Sequence, residues 1–163
     1  MKRVFFILTI ICGITSISCA QSSVYKQAYK YLCKDFPGDN LFVSKHVYDG
    51  IADELLFLVN SEDSLVVKSI ENFDKDSIDL VTIPISSKGK KEYSAIIYFS
   101  KYSNNILMAS IYSNIYEEER KHIDFHTVNM DFFDMRFWGL KYEYLFYFKE
   151  NKIVKCYKTI LWR

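Results

Sequence analysis

Hydrophobic and polar positions repeat with two different periods along this chain of 163 residues. Between residues 24 and 36 the apolar positions recur every four residues, and lysines occupy a separate side. The two rows are Tyr25, Tyr29, Cys33 and Ala28, Leu32, Phe36. This spacing predicts a helix with its apolar side toward a core, and it places Cys33 on that side. The turn sequence Pro37-Gly38-Asp39-Asn40 predicts the end of the helix.

Most of the following chain has the composition of β-strands. A second helix is predicted from Glu62, with Asn60 or Ser61 as its cap. Its apolar stripe comprises Val66, Ile70 and Phe73. Strand-like segments are found at 41–48, 79–85, 93–101 and 106–116, and Ser103-Asn104-Asn105 predicts a hairpin between the last two.

The C-terminal residues alternate most regularly and predict a second hairpin. On the outgoing strand the apolar face comprises Leu140, Tyr142, Tyr144, Phe146 and Phe148, and on the return strand Val154, Cys156, Ile160 and Trp162, with Lys158 as the exception. Matching these faces pairs Phe148 with Val154, Phe146 with Cys156, Tyr142 with Ile160 and Leu140 with Trp162. Glu150, Asn151 and Lys152 are left for the turn.

These elements predict an α+β domain, in which the N-terminal helix packs on the concave face of a curved antiparallel sheet that ends in the C-terminal β-hairpin. In element order this arrangement resembles the cystatin-like or NTF2-like cone architecture. Folds of this kind host many functions, so the resemblance implies an architecture and no activity.

The first residues have the three parts of a secretory signal. A basic start, Met1-Lys2-Arg3, precedes an apolar stretch over 4–14, and small and polar residues follow. We therefore expect a cleaved signal peptide over 1–20 and a single domain over 21–163. Cleavage after Ala20 is one alternative. The other treats Ile17-Ser18-Cys19 as the end of a lipobox, although Ser16 replaces the usual leucine, and would tether the protein through an acylated Cys19.

Removal of the signal changes both the charge and the cysteine count. Lys2 and Arg3 are lost, so 21 basic residues become 19 against 20 acidic ones. Nucleic acid is therefore not an expected partner, since phosphate binding needs a basic surplus. Cys33 and Cys156 are the cysteines that remain on either route. In an oxidising compartment they are predicted to form a disulfide, with two buried free thiols as the alternative.

One short segment carries residues that bind metals in other proteins. His122, Asp124 and His126 alternate with apolar residues, so in a strand they would project from one face. Two imidazoles and a carboxylate could hold Zn²⁺ with an open fourth position. The alternative is an ordinary solvent-facing side of an amphipathic strand. No nucleophile motif or phosphate-binding glycine loop is present, and no cofactor is predicted.

Aromatic residues suggest a binding surface. The residues Phe132, Phe133, Phe137 and Trp138 would either line a ligand or partner surface or fill the core. We therefore expect an exported binding protein, periplasmic, tethered to the outer membrane or extracellular, whose partner is a protein or a small apolar ligand. A metal-dependent hydrolase using His122, Asp124 and His126 and a structural envelope component are the alternative functions.

Overall fold

The protein is an α+β structure with a five-stranded mixed sheet and two helices in the part that the structure describes. This structure is a computed structural model. It describes residues 22–45, 47, 59, 63–73, 85, 93–113, 115, 120–124, 128 and 139–162. Residues 1–20 and the strand predicted at 79–85, apart from Ile85, lie outside the described residues. Among the described residues, no helix has the length and apolar content needed to span a bilayer.

The first helix, α1, covers residues 22–35. It ends before Pro37, and Gly38 follows with a φ of 93°, a backbone conformation that glycine adopts without strain. The buried side of α1 comprises Val24, Tyr25, Ala28 and Leu32, which Phe36 continues beyond the helix end. Cys33 is exposed, so the predicted position of Cys33 on the apolar side is wrong. The buried stripe is centred on the row of Ala28 and Leu32, which are fully buried, whereas Tyr29 packs at its margin and Cys33 lies beyond it.

The remaining elements follow in chain order. They are β1 (Leu41–Val43), α2 (Ser64–Glu71), β2 (Ala95–Phe99), β3 (Ile106–Ser113), β4 (Leu140–Lys149) and β5 (Lys152–Trp162). Helix α2 begins at Ser64 with Asp63 as its N-cap residue, later than the predicted start at Glu62. The Asp63 carboxylate makes no capping bond; it accepts hydrogen bonds from Lys155 and Tyr157 of β5 instead. Val66 is the buried residue of α2, and Phe73 is buried just beyond its end.

The sheet has the strand order β1-β2-β3-β4-β5. Strands β2 to β5 are antiparallel neighbours, whereas β1 lies parallel to β2 with Leu41 opposite Ala95. The prediction of a wholly antiparallel sheet is therefore wrong at this edge. A parallel pair needs a long crossover, and the chain between β1 and β2 supplies one that includes α2.

Both faces of the central strands are buried. Every residue of β2 and β3 is buried. On the face that packs against α1, which we call the α1 face, the core includes Leu32, Ile97 and Phe146. On the opposite face, which packs against α2, it includes Val66 and Met108. The two-sided burial explains why β2 is an unbroken apolar run without alternation.

Strands β4 and β5 are joined by Glu150 and Asn151, which both have positive φ, at 51° and 59°. This two-residue connection is typical of turns that match the twist of antiparallel strands. The predicted pairs Phe146–Cys156, Tyr142–Ile160 and Leu140–Trp162 are present. The predicted pair Phe148–Val154 is wrong: Phe148 is opposite Ile153, because the register shifts after Tyr147 and the shorter turn returns the chain one residue earlier.

Candidate functional site

The candidate site lies on the α1 face of β4 and β5, where the cross-strand pairs form four successive rows. From the core outward these are Phe146–Cys156, Tyr144–Lys158, Tyr142–Ile160 and Leu140–Trp162. Directly opposite residues of an antiparallel pair point to the same face, and successive rows are about 7 Å apart. The rows therefore form one surface about 20 Å long.

Burial decreases steadily along this surface. Phe146 and Tyr144 are fully buried, whereas Ile160 is 51% and Trp162 is 80% exposed. Helix α1 covers the first rows, and its last contact is made by Phe36, whose ring lies edge-to-face at 4.9 Å from Tyr142. We call the outer two rows, made of Leu140, Tyr142, Ile160 and Trp162, the ladder end. These side chains continue the apolar face of the sheet core, with Leu140 and Tyr142 half-buried and Ile160 and Trp162 exposed.

At the boundary between the covered and open rows, the Lys158 ammonium is surrounded by aromatic rings. Its Nζ lies 5.2 Å from the ring centroids of Tyr142 and Tyr144 and 5.6 Å from that of Phe36. We call these three rings the cage. A cation over an aromatic face is attracted by the negative potential of the ring, so the cage accounts for a lysine within an otherwise apolar row.

Asp35, the last residue of α1, completes the polar side of the cage. Its Oδ2 accepts a hydrogen bond from the Tyr144 hydroxyl at 3.0 Å and an ion-pair contact from Lys158 Nζ at 3.2 Å. Burial, and then the hydrogen bond to the Asp35 carboxylate, raise the pKa of Tyr144, so its hydroxyl stays protonated as a donor. The Lys158 and Asp35 side chains are 36% and 30% exposed, so solvent reaches the cage.

Cys156 lies one row inward from Lys158 and is half-buried. Burial raises the pKa of its thiol to about 11, despite the opposing effect of a hydrogen bond with Tyr31. The pKa of Tyr31 is also raised, chiefly by the charge of a Cys156 thiolate beside it. A thiol with a raised pKa is a poor nucleophile at neutral pH, so Cys156 is not placed as a catalytic cysteine.

Cys33 and Cys156 are both free thiols in the structure. Cys156 interacts with Tyr31 and Asp35, whereas Cys33 interacts with Tyr29. At 100° per residue, Cys33 is about 160° around α1 from Asp35, on the opposite flank of the buried stripe. The Cys33–Cys156 disulfide stays a prediction.

A second polar cluster is buried on the other face of the sheet. Lys141 Nζ lies 2.9 Å from Glu143 Oε1, and their side chains are 4% and 0% exposed. The same carboxylate oxygen accepts a hydrogen bond from Ser110 Oγ at 3.1 Å, and the Lys141 ammonium lies 5.3 Å from the ring centroid of Tyr112. In this arrangement the Ser110 hydroxyl donates to a carboxylate that also contacts an ammonium.

The structure describes two of the three predicted metal ligands. His122 lies in a turn and Asp124 follows it, both exposed, so these two residues are not in a strand that would place them on one face. His126 lies outside the described residues. Within the part of the chain that is described, no three His, Cys, Asp or Glu side chains form a group that could hold a metal ion.

The predicted aromatic surface also lies outside the described residues, which do not include Phe132, Phe133, Phe137 or Trp138. The ladder end and the cage were not singled out from the sequence as a site. The signal for them was the lysine at position 158, the one polar residue in the apolar row of β5. Comparison with protein-family models, curated proteins and solved structures finds no match for this chain.

Proposed function

We propose that the mature chain is an exported binding module that uses the ladder end to bind a small apolar ligand. The observation that carries the proposal is the exposure of Ile160 and Trp162, at 51% and 80%, on a face whose inner rows form the core. An exposed continuation of a hydrophobic core is typical of a ligand or partner surface. The half-buried Tyr142 beside them offers a rigid aromatic wall with a polar tip.

A small ligand fits this surface better than a protein partner. Among the residues that the structure describes, the ladder end comprises four side chains, whereas a stable protein interface buries about 800 Å² on each partner and involves some 20–30 residues. A small molecule gains most of its affinity from a few apolar walls with one or two polar groups that orient it. The adjoining Asp35 would supply such a polar group.

The proposal extends to the architecture and the compartment. We infer a cystatin-like or NTF2-like cone, in which β4 and β5 form a hairpin and the ladder end is the mouth. What supports the cone is that α1 lies on one face and stops short of the outer rows. Export rests on the three-part signal at residues 1–20. The mature protein would then be periplasmic, tethered to the outer membrane through Cys19, or extracellular.

Native mass spectrometry of protein purified from its own host tests the binding function. We expect the wild type to carry a bound small molecule that Ile160→Asp loses. Leu65→Asp is the matched control, because Leu65 is 65% exposed and belongs to α2, which packs on the other face of the sheet. A ligand-free wild type, or equal retention by both variants, would contradict the proposal.

A photo-crosslinking side chain at position 162 tests the choice of partner. Under the proposal it captures no discrete protein in the native host. A single protein adduct formed from position 162 and absent from position 65 would replace the small ligand with a protein partner. The mass of the mature N-terminus tests export: acylated Cys19 or a start at Gln21 supports it, and an intact Met1 start contradicts it.

The metal-dependent hydrolase stays a prediction, as does the structural envelope role. Metal analysis of the purified wild type and of His122→Ala tests the hydrolase. A stoichiometric metal that is lost in the variant would support it.

A further inference from the structure

The cage around Lys158 has the composition of a cation-recognition site. Aromatic rings on several sides of one nitrogen, with a carboxylate at its polar side, are the features that proteins use to bind quaternary ammonium groups. Here the rings are those of Phe36, Tyr142 and Tyr144, and the carboxylate is that of Asp35. The nitrogen at the centre belongs to the chain itself.

The walls of the cage are held by contacts that do not involve Lys158. Phe36 packs edge-to-face on Tyr142 with an interplanar angle of 89°. Tyr144 stacks on the buried Phe146, with centroids 5.8 Å apart, and its hydroxyl is bonded to Asp35. The cage would therefore keep its shape if the lysine side chain moved out, which is the preorganisation that a binding site needs.

We propose that the cage is a recognition site for an N-methylated ammonium group and that Lys158 occupies it in the free protein. The distances of 5.2–5.6 Å from Nζ to the ring centroids exceed the usual heavy-atom contact of about 3.5–4.0 Å. The excess, roughly 1.5 Å, is the length of one N–C bond. A methyl group on a nitrogen at this position would therefore lie at contact distance from a ring centre.

Lys158 gives up little ion-pair energy when it leaves the cage, and the incoming ammonium replaces its cation–π contacts. Its side chain is 36% exposed, and its ion pair with Asp35 is open to solvent, where such pairs contribute little. A primary ammonium is also strongly hydrated, so moving it into water recovers its hydration. A quaternary ammonium has no N–H groups to hydrate and loses less on entering the cage.

The ladder end suggests what the ammonium is attached to, and this step rests on the proposed function. The Tyr142–Ile160 and Leu140–Trp162 rows continue outward from the cage for about 14 Å. A cationic head in the cage would place an attached apolar chain over Ile160 and Trp162. The ligand class is therefore an amphiphile with an N-methylated ammonium head, either a free molecule or a lipid with a choline headgroup.

Calorimetry with three probes tests the head and the tail separately. Tetramethylammonium supplies the head, decyltrimethylammonium supplies head and tail, and decyl sulfate supplies the same tail with an anionic head. We expect the wild type to bind decyltrimethylammonium below its micellar concentration. Lys158→Ala should bind both cations about tenfold more tightly than the wild type. This is the gain expected if the lysine leaves the wild-type cage open about a tenth of the time. Decyl sulfate should show no such gain.

Three variants control the experiment. If Lys158→Ala folds poorly, Lys158→Met replaces it, because methionine retains the apolar stem. We expect the same gain in affinity from this variant. Lys158→Arg keeps a cation in the cage and should not gain affinity. Adding Tyr142→Leu to Lys158→Ala removes one wall and should weaken tetramethylammonium binding about fivefold. Vesicles with choline headgroups, compared with vesicles of anionic lipid, distinguish a lipid source from a free one.

The outcomes separate this inference from the proposed function. If neither lysine variant gains affinity for the cations, or if Tyr142→Leu leaves that affinity unchanged, the cage is a fixed part of the fold and the inference is overturned. The same holds if the wild type binds neither cation. Loss of the native ligand in Ile160→Asp with unchanged tetramethylammonium binding would support the ladder end alone as the tail site.

Discussion

Replacing Lys141 with methionine would leave the Glu143 carboxylate buried without the ammonium that lies 2.9 Å from it. Both side chains are almost fully buried, and both sit on β4 against an apolar face. Removing one partner of such a pair costs about 3–5 kcal/mol, because the remaining charge keeps its desolvation penalty and loses the compensation that the ammonium supplied. The hydrogen bond from Ser110 remains and favours the lower part of that range.

Set against a total stability of about 5–15 kcal/mol, a loss of this size is large. For a domain of this length it corresponds to a fall in Tm of about 6–20 °C. Urea unfolding followed by circular dichroism measures it, with Lys149→Met, at the exposed end of the same strand, as the control. That control should stay within about 0.5 kcal/mol of the wild type.

The double variant Lys141→Met with Glu143→Leu completes a cycle. Because it removes both charges, we expect it to recover most of the stability lost in either single variant. Single variants that each cost under about 1 kcal/mol, or costs that simply add, would refute the reasoning, since they would mean that water solvates the pair.

Four further outcomes follow from the contacts and pKa shifts. The Cys156 thiol, with a pKa of about 11, is only about 0.1% thiolate at pH 8. Iodoacetamide should therefore modify the exposed Cys33 before Cys156 in the folded protein. A Cys33–Cys156 bridge would instead block both until a reductant is added. Burial raises the pKa of Tyr25 to about 12, so its contribution to stability is complete below pH 10 and lost as pH rises toward 12; Tyr25→Phe should flatten the urea midpoint over that range. Tyr25→Phe should also cost about 1–2 kcal/mol at pH 7, because its hydroxyl bonds the Ser100 carbonyl and the Tyr102 amide. Contacts with β5, led by Lys155, lower the pKa of Asp63. The ionised Asp63 therefore stabilises the fold above its unfolded pKa, and this stability is lost as the pH falls below that pKa. Asp63→Asn should flatten the dependence of the urea midpoint on pH in the acid range, and an unchanged dependence would contradict the contact.

The outer part of the sheet could be predicted from the sequence because its strands have one polar side. The alternation in β4 and β5 determines which residues share a face, and three predicted pairs, from Phe146–Cys156 to Leu140–Trp162, are present. The pair at Phe148 could not be predicted, since the bulge depends on a turn in which Glu150 adopts a positive φ that glutamate seldom favours.

The parallel edge and the cage could not be predicted for different reasons. Strand β1 is three residues long and fully buried, so it shows no period from which its direction could be inferred. The cage brings together Asp35 and Phe36 with β4 and β5, more than a hundred residues later. Lys158 marked the place as an exception in the pattern, but only the packing of α1 reveals what surrounds its ammonium.

The joining of the first helix to the last strand has a consequence for how this chain folds. Gln27 donates a hydrogen bond to the Asn151 carbonyl across 124 residues, and Lys158 reaches Asp35 across 123. Contacts this distant in sequence carry a high loop-closure cost and form late. Gln27 and Asp35 of helix α1 therefore lack these partners until nearly the whole chain has been synthesised. We expect folding to be slow and concerted, and a chain truncated before β5 to be less stable and more open to proteases.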